Sequence, residues 1–357
     1  MNVAFRVDAS IEIGTGHFMR CLTLATGLKQ RGAQVRFLSR HMPEHLRDML
    51  NAKGHEMAML NRIPNDGTPG EGSYAQWLGV SQAQDAADAS HALYDQTWDW
   101  LVVDHYALDV CWETELRNAV KRILVIDDIA GRVHDCDVLL DQNFYVDMNA
   151  RYAGKVPSQC QLLLGPSYAL LREEFHHMRV QVIPRTGAIK RVLIFFGGVD
   201  ADNCTGRAIE ALVNICIPGL LVDVVIGAQH PCRNHVESEC AQHGFICHVQ
   251  TARMAELMAA ADLAIGAGGS ASWERCCLGL PALIVALADN QIEIGKALDL
   301  FGASIYLGSL EITSAPLMRR TIIDLVNHQS RVAALSEKSY SLVDGLGTDR
   351  VCQSLGY

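Results

Sequence analysis

The chain has 357 residues, of which 49% are hydrophobic and 20% charged, and its formal net charge is −10. This length suits two domains with real cores, and the composition excludes a disordered or fibrous chain. The acidic balance argues against nonspecific nucleic-acid binding, and no apolar run approaches the ~20 residues that span a bilayer, so neither a nucleic acid nor a membrane is expected as a partner.

The first residues enter a strand with Arg6 and Asp8 close behind. They lack the pattern of a secretion signal, and a cytoplasmic location is expected. Twelve cysteines occur without a CxxC pair, and they read as buried free thiols in a reducing compartment. There is no HExxH motif and no Cys/His cluster with zinc spacing. Neither a metal nor a cofactor is therefore expected.

In chain order, an apolar run at 3–5 leads into Arg6-Val7-Asp8-Ala9-Ser10-Ile11-Glu12-Ile13-Gly14-Thr15-Gly16-His17. A periodic helical segment follows over 17–28, stopped by Gly32, and a second strand is expected at 35–38. Short apolar runs end in carboxylates at 101–104, 123–128 and 138–141, with a helix expected between them at 109–120. Runs without period-2 alternation indicate strands buried on both faces, hence a parallel α/β sheet with ligands at the carboxyl ends of its strands. The pattern breaks over 175–190, a polar stretch with Pro184 and Gly187 that reads as a linker. Alternation then resumes with strands at 191–196, 220–226, 263–266 and 282–286 and a helix at 203–217. The expectation is two doubly wound domains, over 1–180 and 190–357, that face a ligand cleft. The last helical segments, 331–353, are candidates to pack back on the first domain.

Three glycine-punctuated strand–helix junctions attract attention. At the first, the helix start disfavours a charged imidazole at His17, which suits that residue to act as a general base; the plainer alternative is a histidine bonded only locally. The second is Gly266-Ala267-Gly268-Gly269-Ser270-Ala271-Ser272-Trp273-Glu274, where backbone N–H groups and Ser270 suit a diphosphate and Glu274 a ribose. The alternative is a tight turn with Glu274 as a first-turn dipole partner. Asn290, in Ala288-Asp289-Asn290-Gln291, suits either the same ligand or an N-cap. The third junction is Gly197-Gly198-Val199-Asp200, where Asp200 or Asp202 is a candidate cap. His105 and Tyr106 follow the Asp104 strand end and serve either a site or the packing; Arg172 lies just before the linker. His176, His177, His243 and His328 read as surface residues.

Taken together, FRVDASIEIGTGHFMRCLTLA, Val102-Val103-Asp104-His105-Tyr106, Gly165-Pro166-Ser167-Tyr168-Ala169-Leu170-Leu171-Arg172-Glu173-Glu174-Phe175, Phe196-Gly197-Gly198-Val199-Asp200 and Gly268-Gly269-Ser270 through Trp273-Glu274-Arg275-Cys276 occur in an order that resembles the UDP-sugar hydrolases of pseudaminic acid biosynthesis. The resemblance implies a GT-B-type fold like that of MurG, with UDP held mainly by the second domain. It implies a UDP-sugar partner, UDP-2,4-diacetamido-2,4,6-trideoxy-β-L-altropyranose, cleaved to UDP and the free sugar. It makes His17 the catalytic histidine, Glu274 the ribose carboxylate and Tyr106 the tyrosine near the sugar, with Asn290 in the family's ENQ-like segment, which here reads Asp289-Asn290-Gln291. The expected sugar site comprises Arg6, Asp8, Gly16, Tyr106 and Arg172. The expected UDP site comprises Gly198, Gly268, Gly269, Ser270, Glu274, Asn290 and Gln291. The expected reaction is attack of a His17-activated water on the anomeric carbon, with inversion. Rival readings are a GT-B glycosyltransferase, a hydrolysing UDP-sugar 2-epimerase and a noncatalytic UDP-sugar-binding protein.

Overall fold

The structure is a computed structural model that describes residues 1–10, 12–61, 74–213, 215 and 217–357. Ile11 of the opening loop and Cys216 lie outside the described residues. The chain divides into two compact units, one of Met1–Asn143, Asp147–Leu170 and Gly347–Tyr357, the other of Phe144–Val146 and Leu171–Leu346.

The first unit runs β1 (Asn2–Val7), α1 (Gly16–Gln30), β2 (Gln34–Ser39), α2 (Glu44–Ala52), β3 (Glu56–Met59), α3 (Ala75–Leu78), α4 (Gln82–Leu93), β4 (Trp98–Asp104), α5 (Val110–Leu116), β5 (Val120–Ile126), β6 (Val138–Asp141) and β7 (Gln161–Leu164). Its seven strands form one parallel sheet in the order β3-β2-β1-β4-β5-β6-β7. The central strands bury side chains on both faces, which explains their continuous apolar runs. On one face Phe5, Phe37, Val102 and Leu124 pack with Phe18 and Leu24 of α1. On the other, Leu101, Val103 and Ile123 pack with Trp98, Trp112 and Leu116.

The second unit runs α6 (Glu173–Arg179), β8 (Arg191–Phe195), α7 (Cys204–Val213), β9 (Leu221–Ile226), α8 (Arg233–His243), β10 (Ile246–Val249), α9 (Met254–Ala260), β11 (Leu263–Ala267), α10 (Ala271–Cys277), β12 (Ala282–Ala286), α11 (Asp289–Phe301), β13 (Ile305–Ser309), α12 (Ala315–Asn327) and α13 (Gln329–Leu342). Its six strands are also parallel, in the order β10-β9-β8-β11-β12-β13. The stretch expected as a linker begins instead as helix α6, whose Phe175 is fully buried. The closing helix α14 (Gly347–Ser354) packs on α1 of the first unit, with Val351 and Cys352 in its core. Trp100 donates its indole N–H to the Leu355 carbonyl at 3.1 Å.

Both sheets reverse their strand order once, between β1 and β4 in the first and between β8 and β11 in the second. At such a reversal the crossover helices leave to opposite faces and open a crevice at the carboxyl ends of the strands. The loop carrying His17 follows β1, and Asp104 ends β4. Gly197 to Asp200 follow β8, and Gly268 to Ser270 follow β11. Each unit therefore presents its notable junction residues at its own reversal point.

Candidate functional site

In the first unit the chain leaves β1 through a short turn closed by Gly14 N–H donating to the Ser10 carbonyl at 2.9 Å. Gly14 has φ +76°, a conformation that suits glycine. Gly16 is exposed and opens α1, and His17 stands in the first turn. Three residues on, Arg20 shares its helix face. β4 pairs with β1, Val7 opposite Asp104, so the Asp104 carboxylate arrives beside this helix start.

The result is a compact charged cluster. His17 Nδ1 lies 2.6 Å from Asp104 Oδ1. Arg20 donates to both Asp104 oxygens, each at 2.6 Å, and to Asp128 Oδ2 at 2.9 Å. The Tyr106 hydroxyl donates to the other oxygen of Asp128, and its ring meets His17 edge-on at 4.5 Å between centroids. Burial alone would push the Asp104 carboxyl up, but the Arg20 and His17 beside it hold it well below the usual carboxylate range. A carboxylate can only accept, so His17 Nδ1–H donates to Asp104, and Nε2 is the ring nitrogen that this bond leaves uncommitted. An Arg20 nitrogen 3.1 Å from the same Nδ1 fits this assignment, because both N–H groups then converge on Asp104. Burial, with Asp128 alongside, pushes the Tyr106 hydroxyl well above its ordinary range, so it stays a donor.

Arg6 and Asp8, named with the expected sugar site, lie here in a buried ion network. Both side chains are 0% exposed. Arg6 donates to Asp85 at 2.8 and 2.9 Å and to Asp8 at 3.0 Å. Asp8 also accepts from Ser39 and from the Arg40 backbone, and His105 Nε2 is 3.3 Å away. This network uses their charges in the interior, where an unpaired ion would be costly, and it fixes the carboxyl end of β1. Burial lowers His105 against the pull of Asp8, which favours its neutral form.

In the second unit, Gly268 N–H faces both the Val285 carbonyl and Gln291 Oε1 at 3.2 Å, and Gln291 Oε1 also accepts from Leu287 N–H at 3.0 Å. Gln291 thus clasps the junctions after β11 and β12. A Cβ at Gly268 would press on Gln291 and Ile284 at 3.2 Å, so glycine permits the clasp. Gly269 is half-buried and Ser270 is exposed. Ser270 makes no side-chain cap bond to α10. Arg275, fully buried, braces the same loop by donating to the Ala267 carbonyl at 2.6 Å. Glu274 Oε1 accepts from Arg172 at 3.3 Å, and Arg172 also pairs with Glu174 at 3.0 Å. Burial raises Glu274 above its ordinary value, opposed by Arg172. Arg172, expected with the sugar, therefore stands with the expected ribose carboxylate.

Ala288, not Asn290, is the N-cap of α11. Asp200 caps α7, accepting from Cys204 and Thr205 backbone N–H at 2.9 and 2.8 Å. The Gly198 carbonyl would lie 1.9 Å from a Cβ at Gly227, so the loops after β8 and β9 are in close backbone contact. Arg20, Asp104 and Asp128 were not expected as site residues. The signals in sequence were the i, i+3 spacing of His17 and Arg20 and the carboxylates that end the apolar runs. Among the described residues no group of three His, Cys, Asp or Glu side chains is arranged to hold a metal ion, and no helix is long and apolar enough to cross a membrane.

No protein-family profile matches the chain. It is 29% identical over 178 residues to the UDP-2,4-diacetamido-2,4,6-trideoxy-β-L-altropyranose hydrolase of Campylobacter jejuni, a match covering 49% of this chain and 54% of that protein. It is 24% identical to the spore coat polysaccharide biosynthesis protein SpsG of Bacillus subtilis over 98% of this chain and 96% of that protein. It is 21% identical to an uncharacterized protein of Methanocaldococcus jannaschii over 82% of this chain. The chain spans about half the length of the archaeal and Campylobacter relatives, 57% and 54% respectively. Among solved structures, MurG of Acinetobacter baumannii superposes with a TM-score of 0.67 at 16% identity, covering 99% of both chains. The glycosyltransferase UGT2 of Phytolacca americana, complexed with UDP-2-fluoroglucose and pterostilbene, superposes with 0.69 at 11% identity over 99% of this chain and 98% of that one. The fold is that of the GT-B glycosyltransferases.

Proposed function

We propose that this protein is a UDP-sugar hydrolase that releases UDP and a free 2,4-diacetamido-2,4,6-trideoxyhexose, with UDP-2,4-diacetamido-2,4,6-trideoxy-β-L-altropyranose as substrate. The observation that carries the reading is the His17–Asp104 pair at a helix start, which engages Nδ1 and leaves Nε2 for the substrate side. The name of the Campylobacter relative supports the substrate.

In this reading Asp104 and Arg20 hold the imidazole with Nδ1 protonated, and Nε2 takes a proton from water as the water oxygen attacks C1 of the sugar. The bond between C1 and the diphosphate oxygen breaks, UDP leaves with the electron pair, and the anomeric centre inverts. A base so placed contributes about 10²–10⁴-fold. UDP is a good leaving group, so the second unit's task is to hold the nucleotide: backbone N–H groups after β11 for the diphosphate, Ser270 beside them, and Glu274 for the ribose hydroxyls. Gly16 leaves the approach to His17 free of a side chain, and Tyr106 shapes the sugar's surroundings.

The test is NMR of the purified protein with the UDP-sugar in H₂¹⁸O and no acceptor. The expected result is UDP, an inverted free sugar and ¹⁸O at C1. Absence of free sugar, or ¹⁸O in UDP, overturns it. A second reading, transfer of the sugar to an acceptor, is favoured by the likeness to MurG and to UGT2. It predicts turnover only after an acceptor is added. A 2-epimerase would change the configuration at C2 in the same spectra, and a binding protein would leave the substrate intact.

A further inference from the structure

Helix α3 is a single turn, ended by Gly79 at φ +74°. Leu78 anchors it, 1% exposed in the core with Trp98 and Trp112. Tyr74 and Trp77, from the same turn, remain half-buried. Trp77 stacks on Tyr106 at 5.7 Å with 22° between the planes. Tyr74 meets Tyr106 at 5.0 Å and Trp77 at 4.8 Å, both edge-on. Tyr106 in turn touches His17.

Other tryptophans of this unit behave differently. Trp98, Trp100 and Trp112 are at most 2% exposed, and each indole N–H has a partner: Leu93, Leu355 and Asp85 respectively. Those are core residues with their polar atom satisfied. Trp77 is only half-buried, and its ring lies one ring away from the proposed base.

We infer that Trp77 and Tyr74, backed by the buried Tyr106, form an aromatic wall that takes the apolar face of the sugar and selects deoxygenated, N-acetylated hexoses over fully hydroxylated ones. This rests on the hydrolase reading, which brings a sugar to His17. The chemistry follows from the wall. An aromatic face offers contact and dispersion but no strong acceptor, so it rewards C–H and methyl groups. A hydroxyl pressed against it would lose its bond to water without replacement. A C6 methyl and two acetyl methyls supply the surface that the rings can cover. Glu274, Ser270 and the other nucleotide-binding groups lie in the second unit and are untouched by changes at Trp77.

The experiment combines steady-state kinetics with saturation-transfer NMR on the full chain. The probes are UDP, UDP-N-acetylglucosamine and UDP-2,4-diacetamido-2,4,6-trideoxy-β-L-altropyranose. The expected result is saturation concentrated on the C6 and acetyl methyls of the last probe. Trp77→Ala should remove it and raise KM about tenfold, the effect of roughly one lost aromatic contact. Uracil saturation and UDP affinity should stay as in the wild type, and Trp77→Phe should restore most of the methyl signal. Trp77→Leu keeps apolar bulk without the ring face; it serves if the alanine variant no longer binds UDP, and it should show the same loss. Methyl saturation retained in Trp77→Ala or Trp77→Leu, with KM within about twofold of wild type, overturns the wall. Methyl saturation without release of free sugar overturns the hydrolase reading and leaves the wall standing. Hydrolysis without methyl saturation does the reverse.

Discussion

The two strand-order reversals of this molecule carry different kinds of machinery. At β1/β4 the residues are charged, interlocked and nearly buried: Arg20 joins Asp104 to Asp128, and through them His17 to Tyr106. At β8/β11 the loops are rich in glycine: Asp200 caps α7 after β8, Gln291 ties the loop after β11 to the one after β12, and Ser270 is left exposed. In the proposed function the first arrangement holds one imidazole by its Nδ1–H, the orientation that proton transfer at Nε2 needs. The second arrangement, in the same proposed function, offers the nucleotide the loop backbone after β11 and the Glu274 carboxylate that Arg172 also meets. The same sheet topology thus ends in an ion-pair network at one junction and in glycine loops at the other, and the proposed function assigns chemistry to the first and recognition to the second.

The largest effect should come from the first region. His17→Ala is expected to lower kcat by about 10²–10⁴-fold while UDP affinity, measured by calorimetry, stays near wild type; normal turnover would remove His17 from the chemistry. Next is Asp104→Asn. It keeps the shape but loses the charge that fixes Nδ1–H, and about 10²-fold of kcat is expected to go, the scale of a mispositioned catalytic group. The alkaline and acidic limbs of its pH–rate profile should shift relative to wild type, whereas an unchanged profile would make Asp104 merely structural. The second region should answer in binding. Glu274→Gln is expected to weaken UDP binding about tenfold, the order of one charge-assisted hydrogen bond, and to change kcat much less. A larger effect on kcat than on UDP affinity would erase the contrast between the regions.

A smaller prediction concerns stability behind the first region. His134 is buried between Glu113 and Asp127, next to the segment that carries Asp128. Burial would lower it, but the bond to Glu113 and the nearby Asp127 charge win and push it up to about 9. A folded-state value above the ordinary one means that its contribution is fully present below about 6.5 and is lost as pH rises through about 9. At most about 3 kcal/mol is at stake. Urea midpoints should therefore fall between pH 7 and pH 9.5 more steeply in the wild type than in His134→Gln; parallel curves would show that the pair carries no charge. The smallest effect is expected at Arg31–Asp349, a partly exposed pair at 2.6 Å that links α1 to α14. Asp349→Asn should cost less than about 1 kcal/mol, since the apolar contacts of Val351 and Cys352 do most of the holding.

Much of this was legible locally. Unalternated apolar runs foretold parallel buried strands, and the glycines near residues 14, 198 and 268 marked junctions that do follow β1, β8 and β11. His17 was visible because a helix start is a local feature. Its partner was not: Asp104 lies 87 residues away, and only the pairing of β4 with β1 and the register of Val7 with Asp104 bring them together. For the same reason Arg6 and Asp8 looked available beside the loop, yet Asp85, from α4, draws Arg6 inward. Arg172 and Glu274 are 102 residues apart and meet through packing alone. Sequence by itself determined the alternation of elements, the glycine junctions and the helix-start histidine, because periodicity, turn chemistry and capping act over a few residues. Tertiary structure decided which ion each charge meets, because strand order and register are set by burial across the whole sheet, and a buried charge settles beside whatever counter-charge that register delivers.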